Sequence, residues 1–127
     1  MTRLGLIGLG AMGRNHLRVL SDLEGAELVA VCDQDAEVAA AAARKSSVQA
    51  YASWDEMLGR EELDAAIVAV PTRFHLDAGL AVLGHGLHVL IEKPIAASLD
   101  EGRRLVAAAP EELAARAGHV ARPRGER

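Results

Sequence analysis

Cysteine occurs once in this chain, at Cys32, and the aromatic side chains are only Tyr51, Trp54 and Phe74. A lone thiol excludes an internal disulfide and a cysteine-built zinc cluster, and it agrees with a reducing compartment. So few rings leave no platform for stacked bases, and a formal charge of −4 offers no basic footprint. Nucleic acid is therefore excluded as a partner. A long apolar run is also missing. The apolar start is interrupted by Gly5, Gly8, Gly10 and Gly13 before it reaches Arg14, which suits neither a secretory segment nor a membrane span. The expectation is a cytoplasmic protein with no membrane contact. No spacing among the five histidines and the carboxylates suggests a closed metal site.

What is present describes an ordinary globular chain. Half of the 127 residues are hydrophobic and a quarter are charged, enough for one core and one domain. Short β-type runs at Leu4–Gly8, Leu28–Cys32, Ala66–Val70 and His88–Glu92 alternate with helical patterns, and a shorter strand is expected near Val48–Tyr51. Alternation of this kind implies a doubly wound α/β fold, a parallel sheet with helices on both faces. The first helix carries Gly13, Leu17 and Leu20 on one stripe, and a later one carries Leu76, Leu80 and Leu83. Ser53 with Glu56, and Ser98 with Glu101, read as capping boxes at two helix starts. The Ala39–Ala43 run reads as helix filler.

The first chemical motif is Gly8-Leu9-Gly10-Ala11-Met12-Gly13, which leaves a strand and opens a helix. Gly8 would allow the tight turn, Gly10 the approach of a pyrophosphate, and Gly13 close packing of helix on sheet. The helix start at Ala11 and Met12 would then face the anion. Asp33, twenty residues beyond Gly13, falls at the end of the second strand. There it would accept hydrogen bonds from ribose hydroxyls and repel a 2′-phosphate, which favours NAD over NADP. The alternative for Asp33 is the N-cap of the next helix, a role open equally to Asp35.

Three further stretches, Pro71-Thr72-Arg73-Phe74-His75, Gly86-Leu87-His88-Val89-Leu90-Ile91-Glu92-Lys93-Pro94 and Gly118-His119, resemble the signature turns of a known family. It is the glucose–fructose oxidoreductase, inositol dehydrogenase and MocA (Gfo/Idh/MocA) family of NAD(P)-dependent oxidoreductases. The similarity runs over roughly residues 2 to 120. It implies a Rossmann domain over 1–120, strand order 3-2-1-4-5-6, and a loose tail at 121–127. It also implies that Lys93 lies beside the nicotinamide and bonds the substrate hydroxyl being oxidised, with Glu92 touching Lys93 or the cofactor. Pro71 and Thr72 would lie along the cofactor, and His75 would face the nicotinamide ribose. Read without the resemblance, Glu92 and Lys93 are a solvated pair at a strand end, and His75 is a helix cap.

Relatives in that family place an apolar strand before Gly-His and then enter a second domain, which shapes the substrate pocket and carries the sheet through which subunits usually pair. Here the stretch is Leu113-Ala114-Ala115-Arg116-Ala117, poor in β-formers, and 33 residues follow Pro94. The resulting expectation is the NAD-binding half of a sugar or polyol dehydrogenase, not catalytic unless a second domain or subunit is supplied. A non-catalytic NAD sensor or docking module, or a truncated gene product, are the alternatives. An apolar surface near the fifth and sixth strands should favour self-association.

Overall fold

Among the described residues each strand hands over to a helix that carries the chain back to the same starting edge, so their strand pairs are parallel. The computed structural model describes residues 1–91 and 98–108. The elements are β1 (Thr2–Ile7), α1 (Ala11–Ser21), β2 (Ala26–Cys32), α2 (Ala36–Ser46), β3 (Gln49–Tyr51) and α3 (Trp54–Arg60). They continue with β4 (Ala65–Val68), a 3₁₀ turn at Thr72–Phe74, α4 (His75–Gly84), β5 (His88–Ile91) and α5 (Leu99–Ala108). The sheet runs β3-β2-β1-β4-β5, as expected for its first five strands. The sixth strand, the Glu92-Lys93-Pro94 turn, Gly118-His119 and the tail lie outside the described residues. No helix among the described residues is long and apolar enough to cross a membrane, and none of their His, Cys, Asp or Glu groups could hold a metal ion.

Strand ends follow from backbone chemistry. β1 ends at Ile7, where Gly8 takes a φ of +100°, and β4 ends at Val68, with Ala69 N still donating to Ile7 O. One face of the sheet buries Leu4, Leu6, Val31 and Ile67 beneath Leu17 and Leu20 of α1 and Ala39 and Ala43 of α2. The alanine run lies within α2 as expected, and Ala39 and Ala43 of it also pack: their small side chains let the helix lie close to the strands. The other face buries Ile7, Cys32, Ala66 and Val68 beneath Met57 and Leu58 of α3 and Ala78 and Val82 of α4. Burying a side chain such as Leu6 or Ile7 contributes about 1.5–3 kcal/mol.

The stripe on α4 is wider than its periodicity implies. Leu76 and Leu83 pack with Leu105 of α5, whereas Leu80 is only half-buried, and Ala78 and Val82 face the sheet on another side of the helix. Gly79 permits this double contact, since a Cβ there would come within 2.6 Å of Leu105 Cδ2 and 3.1 Å of Ile91 Cδ1. Both expected caps form: the Ser53 and Ser98 hydroxyls accept from the amides of Glu56 and Glu101 at 3.4 and 3.2 Å. The reciprocal half of the capping box is absent among the described residues. Glu56 instead pairs with Arg60 one turn on, at 3.3 Å.

Candidate functional site

The chain first builds outward from β1 to β2 and β3, then returns to add β4 and β5 on the opposite side. The carboxyl ends of β1, β2 and β4 therefore diverge around a crevice, the usual ligand position in an open parallel sheet. It has a volume of about 530 Å³.

Its floor is the glycine turn. Gly8 N donates to Cys32 O at 2.8 Å, and Ala69 N donates to Ile7 O at 2.8 Å, so both neighbouring strands clamp the turn. A Cβ at Gly8 would stand 2.7 Å from the Ala69 carbonyl, in a left-handed conformation that already disfavours side chains. A Cβ at Gly10 would meet no protein atom within 4 Å, so protein packing places no constraint on that glycine. The constraint there is left to whatever occupies the crevice. Gly10 is the N-cap of α1 and offers no side chain, and the helix has no acidic residue in its first turn. Its leading amides, at Ala11 and Met12, thus remain available to an anion.

Asp33 closes one side. Its Oδ2 accepts from Leu9 N at 2.9 Å and its Oδ1 from Asp35 N at 2.9 Å. The carboxylate is pinned between the glycine turn and the loop after β2, and each oxygen retains a lone pair. The N-cap role belongs to Asp35, whose Oδ1 accepts from Glu37 N and Val38 N. Cys32 lines the base of the crevice yet is 2% exposed, and burial, reinforced by the Asp33 charge, pushes its thiol pKa up to about 12. It stays protonated and unreactive at neutral pH.

The turn after β4 closes the other side. Pro71, Arg73 and Phe74 line the crevice, and the Arg73 guanidinium lies 4.7 Å from the centre of the Phe74 ring. Thr72, His75 and Gly13 do not line the crevice themselves but adjoin residues that do. The His75 ring does not cap α4, which has no side-chain cap; it is 2% exposed, and its Nε2 lies 2.9 Å from Val70 O. A carbonyl can only accept, so Nε2 carries the proton in that bond.

Of the residues expected to bind cofactor, Gly8, Gly10, Ala11, Met12, Asp33 and Pro71 share this one crevice. Gly13, Thr72 and His75 support it, and Glu92 and Lys93 lie outside the described residues. Gln34, Trp54, Arg73 and Phe74 also line it without having been assigned a role from sequence. Arg73 and Phe74 belong to the Pro71–His75 stretch, whereas nothing local signals Trp54. Its side chain arrives because α3 packs across β2 and α4. The cradle fits a dinucleotide: amides with no side-chain cap for the phosphates, a fixed carboxylate for a diol, and a gap at Gly10 for close approach.

A family model described as an oxidoreductase family with an NAD-binding Rossmann fold matches residues 2–116. The chain is 33% identical to the 4-carboxy-2-hydroxymuconate-6-semialdehyde dehydrogenase of Sphingobium sp., over 94% of this chain and 39% of the relative. It is 35% identical to the inositol 2-dehydrogenase of Corynebacterium glutamicum, over 82% of this chain and 32% of that one. Among solved structures, the WlbA dehydrogenase from Bordetella pertussis, in complex with NADH and UDP-GlcNAcA, superposes with a TM-score of 0.81 at 32% identity. That match covers 92% of this chain and 35% of the other. The chain thus spans about a third of the length of these relatives, from 32% to 39%. With residues 2–116 matched and the glycine turn and Asp33 built as that fold requires, the chain belongs to the Gfo/Idh/MocA oxidoreductase family, of which it carries the NAD-binding Rossmann fold.

Proposed function

We propose that the chain binds NAD in preference to NADP across the ends of β1, β2 and β4, as the cofactor half of a dehydrogenase acting on a sugar or polyol hydroxyl. The observation that carries this reading is the double tether of Asp33 to Leu9 N and Asp35 N, which presents a fixed negative charge beside the glycine turn. Ribose hydroxyls donate to its remaining lone pairs, and a 2′-phosphate meets like charge. The amides of Gly10, Ala11 and Met12 take the pyrophosphate. Pro71 and Thr72 lie along the cofactor, and His75 holds the Val70 carbonyl so that this segment keeps its course.

Bound NAD supplies hydride acceptance. Lys93 and Glu92, which follow β5 in sequence, are assigned the substrate side: the Lys93 amine bonds the hydroxyl and takes up its proton as the hydride passes to the nicotinamide, and Glu92 contacts Lys93 or the cofactor. The inositol and UDP-sugar names among similar proteins support a sugar or polyol as substrate. Its pocket needs walls from a second domain or subunit. Self-association is assigned to β5, where Leu90 is 56% exposed.

Calorimetric titration with NAD and NADP tests the cofactor assignment. NAD should bind more tightly, and Asp33→Ala should erase the preference; equal or tighter NADP binding by the parent chain would remove Asp33 from its role.

A further inference from the structure

Among the described residues the crevice is lined by two charged side chains, Asp33 and Arg73, and they stand on opposite sides of the glycine turn. Asp33 follows β2, Arg73 follows β4, and β1 runs between them in the sheet. The Arg73 guanidinium rests over the Phe74 ring, and no carboxylate among the described residues pairs with it. A ring beneath the guanidinium restrains the side chain before any ligand arrives, which lowers the ordering cost on binding, and leaves its donors unspent.

A diphosphate brings two negative charges into this crevice. The helix start supplies only about half an elementary charge. A cation is the missing component, and Arg73 is the lining residue that offers one. Its planar fork can bond two oxygens at once, which a lysine cannot. We propose that Arg73 binds the cofactor's pyrophosphate on the side away from Asp33. Asp33 and Arg73 then hold the dinucleotide from the two sides of the glycine turn, the carboxylate taking a ribose diol and the guanidinium the diphosphate. The assignment rests on the dinucleotide reading above.

The test compares the parent chain with Arg73→Met and Arg73→Lys by calorimetric titration with NAD, ADP-ribose and adenosine at several salt concentrations. Arg73→Met should weaken NAD and ADP-ribose by on the order of tenfold, as expected for a hydrogen bond to a charged group, and should flatten the salt dependence. Adenosine should bind unchanged, and Arg73→Lys should fall between. Unaltered NAD affinity and salt dependence in Arg73→Met would overturn the proposal, as would an equal loss for adenosine, which would mark Arg73 as a wall residue without a phosphate contact. A parent chain that bound no NAD at all would instead overturn the dinucleotide reading, a result separable from either.

Discussion

A Cβ placed on Gly13 would overlap the carbonyl oxygen of Gly8. The first turn of α1 and the last residue leaving β1 are in backbone contact, and no rotamer change relieves such an overlap.

This relationship separates two glycines that look alike in the motif. Gly13→Ala should destabilise the fold by about 1–3 kcal/mol or more, because β1 and α1 must part to admit one methyl group. Gly10→Val should leave stability close to the parent's, since its Cβ meets nothing, while abolishing NAD binding. Urea unfolding of both variants, with NAD titrations of the folded ones, checks the pair; micromolar NAD binding in Gly10→Val would move the cofactor elsewhere.

Trp54 is the sole tryptophan and lines the crevice, which makes the protein's own emission a reporter of the site. Titration with NADH should quench that emission along the same saturation curve that calorimetry gives, and ADP-ribose should reverse it by competition. Emission indifferent to saturating NADH would place the ligand away from α3.

The Cys32 thiol predicts a stability loss in base. Its pKa rises from 9.0 to about 12 on folding, chiefly through burial, so the native state holds a proton that the unfolded chain releases. The contribution is fully present below pH 9 and is lost as pH climbs from 9 toward 12, at up to about 1.4 kcal/mol per pH unit. Tyr51, whose hydroxyl donates to Glu61 and whose pKa is raised mainly by that bond, adds in the same direction above pH 10. Urea midpoints at pH 7, 9 and 10.5 should therefore fall more steeply for the parent than for Cys32→Ala. Identical slopes would show that the thiol titrates normally.

Leu90 lies beside Ile67 across the β4–β5 ladder, on the face that α1 and α2 cover elsewhere, yet it is 56% exposed. Sedimentation at rising concentration should reveal reversible association, and Leu90→Lys should shift it toward the monomer. A parent chain that stays monomeric throughout would exclude β5 as an association surface.

Local chemistry accounts for what the sequence determined by itself. Strand–helix alternation, the glycine turn, the Asp33 spacing and the serine caps each depend on residues within about one turn of one another or at a fixed offset along a single βαβ unit, so they are legible in one dimension. The tertiary structure alone decided which side chains meet. Asp33 and Asp35 are equal candidates for capping until the β2 end is set against the glycine turn, where Leu9 N claims Asp33 and leaves the cap to Asp35. His75 starts a helix in either view, but packing of α4 on β4 turns its ring onto the Val70 carbonyl. Arg73 and Asp33 stand 40 residues apart in the chain and face one crevice only because β1 lies between their strands. Parallel pairing joins residues whose separation is set by intervening helices, and no local pattern encodes that distance.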